Sequence, residues 1–142
     1  MKKPEQGFTL IELITVIILV GILSITLFFR LGSAGTAPIQ SGRDDLIAAL
    51  FFAQQQAMMR AGITFEVTAN SISVNQNGAP IPGTQYPLAM PTGVTLTPAP
   101  VSLAYDKLGR TTAINITLTG SGNSSGVSAS VRVEASGYAF TN

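Results

Sequence analysis

Apolar and polar positions divide the chain into two regions with different periods. From Phe8 to Phe29 nearly every position is apolar: sixteen of 22 residues are Leu, Ile, Val or Phe, and Glu12 is the single charge. A run of this kind reads as a helix that is apolar all round, about 33 Å long and sufficient to span a bilayer. Gly32-Ser33-Ala34-Gly35-Thr36-Ala37-Pro38 then breaks the pattern, since each Gly disfavours helix by about 1 kcal/mol and Pro by about 3. Residues 31–40 are therefore read as a hinge. A second helix is expected to start at Ser41, with Asp44 three residues later as a capping-box-like partner and acids in the first turn. Leu46, Ile47, Leu50, Phe51, Gln54, Ala57 and Met58 follow at helical spacing, with Gln55 and Gln56 facing water. Its end is expected near Arg60-Ala61-Gly62, and Met58 and Met59 are read as core.

After Gly62 the period changes to two. Ile63 to Thr68 and Ser71 to Asn75 alternate apolar with polar around Ala69-Asn70, which predicts a hairpin. Pro80 to Pro91 reads as a turn-rich loop. Further strands are expected at Val94 to Thr97, Val101 to Tyr105, Ala113 to Leu118 and Val127 to Glu134. Asp106 to Arg110 is read as a reverse turn and Gly120 to Gly126 as a flexible loop. Helices first and antiparallel strands after give an α+β class: a long hydrophobic helix, then a second amphipathic helix packed on a small antiparallel sheet, with residues 41–142 as one globular domain.

The apolar run carries the first functional signal. Insertion of Phe8 to Phe29 into a bilayer is favoured by roughly 5 to 10 kcal/mol, against about 3 for one charge at mid-membrane, so Glu12 is tolerated. A secretory signal peptide has a core of only about 7 to 15 residues. A plain anchor fits the length but leaves Glu12 unexplained, and a buried helix of a soluble protein fits a run of this length least. Basic residues stand on both sides, Lys2 and Lys3 before the run and Arg30 and Arg43 after it, so charge does not fix orientation.

Composition narrows the chemistry. The 142 residues contain no Cys and no His, which excludes disulfides, thiolate catalysis and imidazole ligands. Roughly 110 residues follow the apolar run, enough for one small core. Taking Lys2, Lys3 and Glu5 away from eight basic and seven acidic side chains leaves six of each, so no basic footprint for nucleic acid remains. Asp44 and Asp45 are read as helix-start residues and Asp106 as a turn residue, no phosphate loop follows a strand, and no carboxylate cluster is placed for a hard cation. No catalytic residue, metal site or cofactor is expected, and the chain is not read as an enzyme.

Met1-Lys2-Lys3-Pro4-Glu5-Gln6-Gly7 is short and basic and ends in Gly against the apolar run. With Gly7-Phe8-Thr9-Leu10-Ile11-Glu12, it resembles the leader of type IV pilin-like precursors. The resemblance implies a leader over residues 1–7, cleavage by prepilin peptidase between Gly7 and Phe8, N-methylation of Phe8, and Glu12 as the fifth mature residue. It further implies an inner-membrane protein with its leader cytoplasmic and its domain outside, partnered by other pilin or pseudopilin subunits and by an inner-membrane assembly platform. Once cleaved, the Phe8 amine lies about 6 Å of helix rise from Glu12, and opposite charges at an apolar boundary attract strongly. Two roles are open to Glu12: setting register against a neighbour's amine, or reaching the interface and its own amine.

Leu103-Ala104-Tyr105-Asp106-Lys107-Leu108-Gly109-Arg110 and Val131-Arg132-Val133-Glu134 with Gly137-Tyr138 resemble the domain shared by GspH pseudopilins and FimT-like minor pilins. That implies a minor type IV pilin, a minor pseudopilin of a type II secretion system, or a FimT-like DNA-binding subunit. The last relies on basic residues near the carboxy terminus, where this chain has only Arg132, so nucleic acid is not expected as a partner. Family members carry a late helix-breaking Pro; here Phe28 and Phe29 stand in that region and the Gly-rich hinge is the substitute.

Overall fold

The computed structural model describes residues 9–31 and 35–142, with side chains for residues 9–24 and 35–142. The chain divides into two compact units, Met1–Ala34 and Gly35–Asn142.

The first unit is α1, Leu10–Leu31. Two of its polar side chains are satisfied internally: the Thr15 hydroxyl donates to the Ile11 carbonyl and the Ser24 hydroxyl to the Val20 carbonyl, each at 2.7 Å. Such back-bonds remove the demand of a hydroxyl for water. The large apolar side chains from Leu10 to Leu23 are all exposed. Among the described residues no helix is long and apolar enough to cross a membrane. Side chains of α1 are described to Ser24, and Leu10 to Ser24 rises about 21 Å against a hydrocarbon core of ~30 Å. The side chains that would complete the expected span, Phe28 and Phe29 among them, and residues 32–34 of the hinge lie outside the described residues.

The second unit is α+β. Its helix α2 runs Ala37–Met59, four residues ahead of the expected Ser41 start. Pro38 explains the difference: in a first turn its missing N–H would have no intrahelical partner, and its fixed φ suits the helix. Ser41 is therefore inside the helix, Asp44 and Asp45 lie beyond the first turn, and no capping box forms there. Asp44 instead accepts from Arg43 at 2.8 Å. The far end agrees with expectation, with Arg60 as the C-cap and Gly62 at φ +76 after it.

Ile39, Gly42, Leu46, Ala49, Leu50, Ala53 and Ala57 form the buried stripe of α2. Small residues set how closely the strands approach: a Cβ on Gly42 would meet the Leu118 side chain at 3.2 Å. Met58 and Met59 are not core but exposed, because both fall outside this stripe.

The strands form two antiparallel sheets, both packed on α2. One contains β1 (Ile63–Val67), β2 (Ser71–Gln76), β3 (Ala79–Pro80), β4 (Leu88–Ala89) and β6 (Val101–Ala104), in the order β3-β2-β1-β6 with β4 also on β2. The predicted β1–β2 hairpin is present, with Phe65 opposite Val74 and, across β6, Leu103. The other runs β5 (Val94–Thr97), β7 (Ile114–Gly120), β8 (Ser128–Val133) and β9 (Ala139–Thr141), with Leu96 opposite Leu118 and Ile116 opposite Val131. Their inward residues close one core with α2. Each large aliphatic or aromatic side chain buried there stabilises by about 1.5–3 kcal/mol.

Two further expectations are corrected. The Pro80 to Pro91 segment carries the short strands β3 and β4 at its ends. Gly120 to Gly126 is an ordered turn, not a flexible loop: it contains a 3-10 turn at Gly122–Ser124, Ser124 is buried, and Ser124, Ser125 and Val127 N–H groups bond back to Ser121, Gly122 and Ser124 carbonyls.

Candidate assembly site on the amino-terminal helix

The site starts at the first turn of α1. Thr9 precedes the helix, its carbonyl accepts from the Glu12 and Leu13 amides at 3.1 and 3.2 Å, and its hydroxyl accepts from the Glu12 amide at 3.4 Å. This is the Thr half of a capping box, T-x-x-E, in which the Glu side chain can return to the cap. That return bond is not made: the Glu12 carboxylate has no hydrogen bond or ion pair among the described residues. It is exposed in the first helical turn, where a negative charge opposes the positive helix end and stabilises it by about 0.3–1 kcal/mol.

Glu12 is thus an acceptor on an apolar helix, fixed in place by its own backbone and open to a cation from outside. Ile11, Leu13 and Ile14 around it are exposed apolar side chains. Gly7 and Phe8, the expected cleavage pair, lie outside the described residues. Thr9 was not singled out as a site residue, although the spacing Thr9-Leu10-Ile11-Glu12 carried its signal.

Residues 2–28 match the family model of the prokaryotic N-terminal methylation motif. The matched segment contains Gly7, Phe8, Thr9 and Glu12. It supports a type IV pilin-like protein processed by prepilin peptidase, assembling with other pilin subunits and consistent with inner-membrane anchoring. No curated protein and no solved structure matches the chain.

In the second unit, Asp106 and Arg132 are engaged locally. The Asp106 carboxylate accepts from the Leu108 and Arg110 amides and from Arg110 Nε, all at 2.9 Å. These bonds, the Arg110 amide foremost, hold it below the usual carboxylate range. Arg132 Nε donates to Glu134 at 2.6 Å.

Proposed function

We propose that this chain is a minor type IV pilin-like subunit, structural and not catalytic in role. It is stored in the bacterial inner membrane through a single span, with its domain on the periplasmic side. It is then incorporated into, or primes, a filament built by an assembly platform. The observation that carries this reading is the methylation-motif match over residues 2–28, with Glu12 at the fifth position after the proposed cut. Gly7 to Ser24 together with the Asp44-to-Arg60 segment resembles the MSHA minor pilin MshC, and the later strand and turn motifs resemble the domain of GspH pseudopilins and FimT-like minor pilins. A FimT-like DNA-binding role is disfavoured, because Arg132 is already paired with Glu134.

In this reading Glu12 pairs with a neighbouring subunit's methylated Phe8 amine and sets the axial register between helices. Replacing Glu12 with Val is expected to leave membrane insertion and the melting of the domain unchanged, and to reduce incorporation into filaments by at least tenfold. Normal incorporation of that variant would remove the proposed role of the carboxylate.

A further inference from the structure

The chain enters the second unit through a close backbone contact that the filament reading does not use. A Cβ built on Gly35 would overlap the Asn123 carbonyl oxygen, and would meet the carbonyl carbon at 3.3 Å and Ser124 Cα at 3.5 Å. All three are backbone atoms, which cannot swing aside as the end of a flexible side chain can. They belong to the ordered turn Gly120 to Gly126 between β7 and β8. That turn is itself pinned on two sides: the Gly120 amide donates to the Val127 carbonyl at 2.9 Å, and the Ser121 amide to the Gly93 carbonyl, just ahead of β5, at 2.7 Å. Its interior is equally tight, since a Cβ on Gly120 would overlap the Ser124 carbonyl. Neither Gly35 nor Gly120 has a positive φ. Close approach, not backbone conformation, is what requires glycine at both.

What this contact holds is the start of α2. Helix ends open readily, because their first N–H groups have no intrahelical partner and few bonds tie the first turn down. Here the Gln40 amide reaches the Thr36 carbonyl at 3.0 Å, directly after the held glycine, and Ile39 is buried. Gly42 then packs on Leu118 of β7, the strand that leads into the same turn. The segment from Gly35 to Gly42 is thus seated at both ends on β7 and its turn. Of the expected hinge over residues 31–40, the part from Gly35 onward is built into the domain.

We propose that the β7–β8 turn is a clasp on the domain's entry. It holds Gly35 and with it the first turn of α2, so the domain moves as one body from Gly35 onward, and reorientation relative to α1 takes place ahead of that residue. For a subunit drawn from a membrane into a filament, a use that rests on the filament reading, the clasp keeps the link between span and domain at a fixed length.

Gly35→Ala tests the clasp by the sign of its effect. At a glycine of ordinary φ with open space, Ala narrows the unfolded ensemble and would raise the melt of the full chain in detergent by roughly 2–6 °C. The clasp predicts a fall of about 4 °C or more, because the added methyl group has only backbone to displace. Hydrogen exchange is expected to quicken about tenfold in the segments holding Gln40 and Ser124 to Val127 together, with those holding Ile116 and Val131 unchanged. Gly120→Ala should open the same contact from the other side, and the two substitutions combined should lower the melt by less than the sum of their separate effects. Asn123→Ala should change neither melt nor exchange, since Asn123 contributes only backbone. Incorporation of Gly35→Ala into filaments is expected to fall severalfold at unchanged abundance and processing. A melt that rises for Gly35→Ala, additive effects, or faster exchange in only one of the two segments overturns the clasp. Normal incorporation of a variant whose exchange shows the clasp open overturns its use in assembly. A wild-type chain that enters no filament counts against the filament reading and that use, while the melts and exchange still decide the clasp.

Discussion

α1 and α2 have nearly the same length, 22 and 23 residues, and opposite destinations. Every large apolar side chain described on α1 is exposed, whereas α2 buries one stripe under two sheets and keeps Gln40, Ser41, Asp44 and Gln55 outside. Helical conformation is common to both; what separates them is whether the chain itself supplies the surface that covers the apolar side. For α2 the strands do so. For α1 nothing described does; under the proposed function, lipid and other subunits supply that surface and the cation for its one carboxylate.

The sharpest way to break this contrast is to remove the same atoms from both helices. Leu46→Ala on α2 is expected to cost about 2–5 kcal/mol in the thermal or urea melt of the protein's folded domain, because it opens a cavity among fully buried neighbours. Leu19→Ala on α1 should leave that melt unchanged. A large effect of Leu19→Ala would mean that α1 contributes to the domain's core.

A smaller effect sharpens the description of that core. The Tyr105 hydroxyl is buried without a hydrogen-bond partner, and burial pushes its pKa up to about 12. The folded chain keeps this proton between its ordinary value near 10 and about 12, where the unfolded chain loses it, so stability falls as pH rises through that window. Tyr105→Phe is expected to flatten that slope in urea titrations and to change stability little at pH 7. An unchanged alkaline slope would place the hydroxyl in solvent.

The smallest effect concerns the start of α2. As an exposed residue inside the helix, Ser41 replaced by Ala should shift stability by no more than about 0.5 kcal/mol, with helix propensity favouring Ala. Were Ser41 the cap, the loss in the same melt would be about 1 kcal/mol.

Legibility in the sequence followed the physics of each element. The β1–β2 hairpin was readable because alternation of Ile63, Phe65, Val67, Ile72 and Val74 marks a half-buried ribbon directly. The start of α2 was not, since Pro38 breaks a helix interior and suits a first turn, and the residue alone does not say which applies. Met58 and Met59 were misplaced because apolar character does not state which side of a helix the sheets will cover. β9 spans only three residues, too few for a period, and the order of Gly120 to Gly126 comes from backbone bonds that no side-chain pattern records. At the assembly site Glu12 stood out against its apolar run. Thr9 was legible only as a spacing, and its meaning appeared with the hydrogen bond to the Glu12 amide.

The central claim is that Gly7-Phe8 is a processing junction which creates the amine that Glu12 awaits. Intact-mass and terminal-peptide mass spectrometry of the protein recovered from its native membrane tests this directly. The expected species begins at Phe8 and carries one added methyl group on its amine. A mature chain that retains Met1, or one that begins near Gly35, would contradict it.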